Sequence, residues 1–199
     1  MSRWPSSRNG ARLASTVRSA KDDSAMTAPD LVDPRYLRDF VALRRALTEE
    51  EYLLRWGFPA LVVHSIVGEL APNKIPRRRT HPMLGAVEYA PVQSLVERVW
   101  LLRRTNVERP DSHVLVGQGA ECDVWIPEYT LSSHHCAFST TDAPEVQDLG
   151  SLNGTKFDGV PLRPRHWHRL KSGSTVALAR LVFVYYSAGG FAKALDEFA

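Results

Sequence analysis

Residues 131–159, LSSHHCAFSTTDAPEVQDLGSLNGTKFDG, constrain this chain more than any other stretch. Two dense polar clusters, at 132–135 and 151–155, bracket two short strand-like runs. These are Cys136-Ala137-Phe138 and Val146-Gln147-Asp148-Leu149, joined by a polar turn at Asp142-Ala143-Pro144. Runs this short, bounded by turn residues, read as a β-hairpin. A hairpin returns the chain to its starting end, so both clusters fall on loops at one end of a sheet, where a rigid scaffold can present them for recognition.

The clusters carry hydroxyls (Ser132, Ser133, Ser151, Thr155), an amide (Asn153) and two imidazoles (His134, His135). Such neutral groups suit an oxyanion or a peptide backbone, and equally the hydrogen bonds of two ordinary β-turns. Asn153-Gly154 is a turn signal, because glycine adopts positive φ without steric cost.

The order of motifs resembles that of the forkhead-associated (FHA) family of phosphothreonine-peptide readers. Gly117 in VLVGQG is followed by ECDVWIP, by Ser132-x-x-His135 with Cys136-Ala137, by DLGSLNGTKFDG and by LKSGSTVALARLVFVYY, over roughly the last half of the chain. The resemblance implies an all-β sandwich of two antiparallel sheets whose loops at one end bind phosphothreonine. It implies that the Ser132 hydroxyl and amide hold the phosphate, that Asn153 bonds the peptide main chain, and that His135 braces the loops. Gly117 and Gly154 would serve turns, with Ser151, Asp148 and Thr155 supporting the loop backbones.

Two positions depart from the family pattern. Gln118 stands where the family has arginine after glycine, and Ser133 where an arginine commonly follows the binding serine. An arginine gives a phosphate oxygen about 1.5–3 kcal/mol, against about 1 kcal/mol for a neutral donor. The difference, up to about 2 kcal/mol, corresponds to a tenfold to thirtyfold loss of affinity. His134 or Lys156 could supply the missing charge; otherwise Ser132, Ser133, Gln118, His134 and Asn153 form a weakened pocket. The resemblance thus implies a non-enzymatic adaptor module in Ser/Thr kinase signalling, cytoplasmic, whose partner carries phosphothreonine and is a kinase or a kinase substrate. The alternative is a degenerate FHA fold that binds a partner without phosphate.

The rest of the chain reads as extensions of that domain. Residues 1–28 form a basic, disordered leader; 29–90 a mainly helical extension with a Pro/Arg-rich linker; 91–187 the sandwich; and 188–199 a short helix or tail. Asp33-Pro34 reads as a helix start, followed by Leu37, Phe40, Val41, Ala46 and Leu47 at helical spacing. Thr48 and Glu51 form a capping box for a second helix that ends at Gly57 and Pro59. Residues 60–70 are apolar and β-branched, a strand in preference to a buried helix, with His64 a satisfied core or edge residue. Residues 71–82 read as an exposed linker.

Residues 95–103 are expected to be extended, with Val96, Trp100 and Leu102 on one face and Glu97, Val99 and Leu101 on the other. Leu115, Val124, Ile126, Val176, Leu178 and Phe183 alternate as core positions. After a break at Gly189-Gly190, residues Phe191, Ala194, Leu195 and Phe198 share a helical face.

Several classes are disfavoured. A net charge of +3, concentrated before residue 92 in Arg3, Arg8, Arg12, Arg18 and Arg77-Arg78-Arg79, gives little reason to expect nucleic acid. Cys122 and Cys136 alone make no disulfide framework and fit a reduced compartment, and no apolar run spans a bilayer. The chain has no nucleophile elbow, phosphate-binding glycine loop or dinucleotide fingerprint, hence no catalytic or cofactor motif. Ser132, His135 and Asp148 read as loop bracing, not as a triad, and the His/Cys spacings do not match a zinc site.

Overall fold

The computed structural model describes residues 35–68, 80–81, 85–86, 92–105, 109, 112–139 and 141–198. The leader expected at 1–28 and most of the 71–82 linker lie outside them. Helix α1 (Leu37–Ala46) starts at Tyr36, whose backbone is extended. Asp39 accepts from the amides of Arg35 at 3.1 Å and Tyr36 at 2.9 Å, satisfying donors that the helix itself leaves free. The expected start at Asp33-Pro34 falls outside the described residues. Helix α2 (Glu49–Trp56) starts at Thr48 with a reciprocal box: the Glu51 amide reaches the Thr48 hydroxyl at 3.3 Å, and the Thr48 amide reaches Glu51 at 2.9 Å.

The strands follow in chain order as β1 (Ala60–Ile66), β2 (Thr80–His81), β3 (Gly85–Ala86), β4 (Val99–Leu101), β5 (Val114–Gly117), β6 (Val124–Trp125), β7 (Cys136–Ser139), β8 (Glu145–Asp148), β9 (Thr155–Phe157), β10 (Val160–Pro161), β11 (Trp167–Arg169), β12 (Thr175–Leu178) and β13 (Leu181–Tyr186). A 3-10 turn at Val92–Leu95 precedes β4, and helix α3 (Ala188–Glu197) closes the chain. One sheet has the order β10-β9-β12-β13-β1-β4 and the other β11-β8-β7-β5-β6, while β2 and β3 pair with each other. All pairings are antiparallel except β5 with β6, which run parallel.

The two sheets enclose a core that includes Leu61, Val63, Val114, Val116, Ile126, Phe138, Val146, Val176, Leu178 and Phe183. The expected fold class, an all-β sandwich with helices preceding it, is the one observed. Strand β1, assigned from sequence to the N-terminal extension, sits inside the larger sheet between β13 and β4. The sandwich therefore draws on residues from Ala60 onwards, and a boundary at residue 91 cuts through it. His64 is exposed where the β1–β13 register shifts between Val63 and Ser65, so it is not a core residue, and β1 is not an edge strand.

Other differences have local causes. The alternation expected over 95–103 fails because 92–97 forms a turn in which Glu97 takes φ 62°; Val99 and Leu102 are buried and Val96 is exposed. Leu115 is half-buried, the core positions of β5 being Val114 and Val116. Gly189 and Gly190 do not break α3 but form its first turn, because Ser187 caps it by accepting from the Gly190 amide at 3.2 Å.

The helices build a second apolar cluster. Phe40 meets Trp56 and Phe191 edge-on, with ring centroids 6.0 and 5.4 Å away, and Leu43, Tyr52, Ala194 and Leu195 are buried. Phe198, expected on that face, is 55% exposed. Arg44 and Asp196 pair at 3.0 Å, tying α1 to α3. Removing a buried aromatic ring leaves a cavity as well as losing transfer energy. Phe40→Ala is expected to lower the stability of the full chain by about 3–5 kcal/mol, whereas Leu54→Ala, at a fully solvated position, changes it by less than about 0.5 kcal/mol. Urea denaturation followed by tryptophan fluorescence measures both.

Candidate functional site

The β7–β8 hairpin has the register Cys136↔Asp148, so the segments just before β7 and just after β8 emerge side by side. Three hydrogen bonds join the two loops. The Leu152 amide donates to the Ser132 hydroxyl oxygen at 3.0 Å, the Asn153 side-chain amide to the Thr130 carbonyl at 2.7 Å, and a His135 ring nitrogen bonds the Gly154 carbonyl at 3.2 Å.

His135 is fully buried, and its ring state follows from its partners. The Ser132 amide can only donate, and it points at Nδ1 from 3.1 Å, so Nδ1 is unprotonated. The proton of the neutral ring is therefore on Nε2 and faces the Gly154 carbonyl. Burial lowers the imidazole below its ordinary pKa, an effect that outweighs the Gly154 contact. The Ser132 amide, assigned by resemblance to a phosphate, is here held inward, whereas the Ser132 hydroxyl keeps a proton to donate.

The first loop is fixed from beneath. The carbonyls of Ser132 and Ser133 accept from the Gln118 and Gly119 amides at 3.1 and 2.9 Å. A Cβ at Gly117 would strike the Ser133 and Ser132 carbonyls, so this close approach requires glycine. The Cys122 thiol donates to the Ser133 carbonyl at 3.0 Å, and burial pushes its pKa up to about 11, keeping the proton that makes the bond. Gln118 directs its side-chain amide to the Leu131 carbonyl. His134 is half-exposed with Nε2 3.0 Å from a Glu121 carboxylate oxygen, and Ser133 is exposed. Lys156 is exposed on β9.

The second loop is organised by Asp148, which is 1% exposed. It accepts from the Gly150 and Ser151 amides at 2.8 and 3.0 Å, and from the Ser151 and Thr155 hydroxyls, each at 2.6 Å. Burial alone would raise this carboxyl; the four donors outweigh it and hold it below its ordinary value. Gly154 takes φ +75°. Leu152 stands between Ser151 and Asn153 at 88% exposure, an apolar flank on an otherwise polar edge.

Sequence reasoning missed one pair. Glu128, 2% exposed, meets Arg180 at 2.7 Å and accepts from the Thr130 amide at 2.8 Å. It thus clamps the start of the Thr130–Ser132 segment to the turn before β13. That turn also sends the Ala179 amide to the Gly154 carbonyl at 3.0 Å. The signal was faint: Glu128 follows Pro127, and Arg180 interrupts an apolar run.

These elements define a class, a two-sheet sandwich with short loops locked together at one end into a hydrogen-bonding edge. Residues 114–179 match the family model described as FHA domain. Among solved structures, the chain is similar to the MEK1 FHA domain at 20% identity and TM-score 0.42, covering 70% of this chain and 99% of that one. A second similarity, to the MEK1 FHA domain in complex with a HOP1 phosphothreonine peptide, has 24% identity and TM-score 0.37, covering 46% and 89%. The FHA domain of CT664 from Chlamydia trachomatis matches at 20% and 0.37, covering 46% and 86%. No curated protein matches the chain in sequence. Among the described residues no helix is long and apolar enough to cross a membrane, and no three His, Cys, Asp or Glu side chains are grouped to hold a metal ion.

Two outcomes follow for stability. Because the folded His135 has a lowered pKa, its contribution is complete above the unfolded value of about 6.5 and is lost as pH falls towards the folded value. His135→Gln is therefore expected to flatten part of the stability loss below about pH 6.5 relative to the parent chain, in denaturation curves taken across pH. Arg180→Met leaves Glu128 buried without its partner and is expected to cost about 3–5 kcal/mol in the same assay.

Proposed function

We propose that the chain is a non-enzymatic binding module that reads a phosphothreonine-containing segment of a partner protein at the edge formed by Ser132 and Asn153. One observation carries this reading: the Leu152 amide bonds the Ser132 oxygen, which locks the two loops together and leaves the hydroxyl proton free to donate. Ser132, Ser133 and the Asn153 side-chain oxygen supply neutral contacts, with Leu152 as an apolar neighbour. His135, Gly117, Ser151, Gly154 and Thr155 act by holding the loops. The partner class is a phosphoprotein of a Ser/Thr kinase system, in a reduced compartment such as the cytoplasm.

The second reading, a phosphate-independent module, is favoured by a different observation. No arginine stands at 118 or 133, the Gln118 side-chain amide is directed at the Leu131 carbonyl, and the His134 imidazole is paired with Glu121. A carboxylate beside the pocket opposes a phosphate dianion and supports weak or phosphate-free binding.

Binding of a phosphothreonine peptide library and of its unphosphorylated counterpart separates the two. A phosphate-dependent subset that Ser132→Ala abolishes is the expected result; equal capture of both libraries would sink the first reading. Gln118→Arg, measured on any captured phosphopeptide, is expected to tighten binding about tenfold by adding a charge-assisted donor.

A further inference from the structure

One sheet ends at β4, whose outer side is met by the segment before α1, the Val99 amide donating to the Arg35 carbonyl at 2.8 Å, and the other sheet ends at β6. A groove of about 660 Å³ is lined by residues of these two strands and of α1 and α2. Four arginines line it: Arg35, Arg55, Arg98 and Arg103. Three lie against aromatic rings, Arg55 at 5.3 Å from the centroid of Trp56, Arg98 at 5.0 Å from Trp100 and Arg103 at 5.6 Å from Phe58. A guanidinium whose face rests on a ring keeps its N–H edge for donation, in an orientation already fixed.

The groove is unbalanced in charge. Its one acidic lining residue, Asp123, has a fully buried side chain that already accepts from Arg109 at 2.7 Å, from the Leu115 amide at 2.9 Å and from the Thr105 amide at 2.8 Å. Asp39, at the Arg35 end, is engaged with the amides of Arg35 and Tyr36 and with Arg38. Among the described residues no carboxylate pairs with the four arginine side chains. Burial holds Arg98 below the usual arginine range; Tyr36 opposes this, and the neighbouring Arg35 adds to it. Crowded, partly desolvated cations of this kind gain most from an anionic partner.

We infer that this groove binds an acidic segment of a partner protein, whose Asp and Glu carboxylates are taken by Arg35, Arg55, Arg98 and Arg103. The four cations are distributed over the approach to α1, the end of α2, the start of β4 and the segment after it, a spread that suits an extended chain better than one small anion. Single-stranded nucleic acid fits less well, because it needs open ring faces for its bases. Here Trp56, Trp100 and Phe58 are covered by arginines, leaving Trp125, 40% exposed, as the open one. The Trp125 indole donates to the Gln118 carbonyl at 3.2 Å, so the wall of the groove is joined to the loop that carries Gly117 and Gln118. The inference does not depend on phosphate recognition at Ser132.

The test is fluorescence anisotropy of the full chain with a labelled, unphosphorylated peptide of alternating Asp/Glu and Gly/Ser, and with its Asn/Gln counterpart. The acidic peptide is expected to bind at about 50 mM salt and to weaken towards about 300 mM, and the neutral one not to bind. The double variant Arg55→Gln and Arg103→Gln is expected to weaken binding about tenfold, while Ser132→Ala leaves it unchanged. Both arginines are exposed, and a thermal melt of the double variant shows that it stays folded. Equal binding of the two peptides, an unchanged affinity in the folded double variant, or tighter binding of an oligothymidylate than of the acidic peptide would overturn the inference. Loss of acidic-peptide binding in Ser132→Ala alone would assign the peptide to the loop edge and overturn it too. Failure of the phosphopeptide libraries leaves these outcomes untouched.

Discussion

The loop edge depends on one neutral imidazole. His135 accepts from the Ser132 amide through one nitrogen and donates to the Gly154 carbonyl through the other, and only the uncharged ring with its proton on Nε2 does both. Two loops separated by a whole hairpin are thereby set against each other by a group with almost no freedom to move. Around it, the same logic recurs with different chemistry. Asp148 gathers four donors for the second loop, and Glu128 with Arg180 anchors the approach to the first. Buried charge is costly, and these hydrogen bonds and the Glu128–Arg180 pair offset that cost.

The two ends of the sandwich problem are solved differently. At the loop edge, polar groups bond one another, and what is left for a ligand is small: a hydroxyl proton, an amide oxygen, an exposed Ser133 and an exposed Leu152. Beside β4 and β6, by contrast, Arg35, Arg55, Arg98 and Arg103 have no carboxylate partner among the described residues. Charge beside a strand edge discourages pairing with another chain.

Much of the fold was legible in the chain. The hairpin at 136–148, the Thr48 capping box and the alternating core of β12 and β13 each follow from local rules, period, capping chemistry and turn residues, that need no distant partner. What was missed depends on contacts far apart in sequence. Strand β1 read as part of an extension because nothing local reveals that its partners are β13 and β4. Glu128 and Arg180 are 52 residues apart, so neither announces the other. Leu115 was misplaced because the phase of an alternating run is fixed by the opposing sheet. In the loops, residue types were readable but directions were not. The Ser132 amide turns inward and the His134 ring meets Glu121, outcomes settled by which acceptor lies nearest in space.

The position of β1 bears on how the domain is made. Ala60 pairs with Tyr186, so one of the first strands to be synthesised has its main partner among the last. Until residue 186 has left the ribosome, the six-stranded sheet lacks the strand that joins β12 to β1, and the apolar faces of Leu61 and Val63 have no completed layer to cover them. Contacts of such sequence separation fold slowly, because the loop must be closed before they form. While the residues between β1 and β13 are made, the nascent chain therefore carries an unpaired β-branched strand, a period in which chaperone capture competes with aggregation.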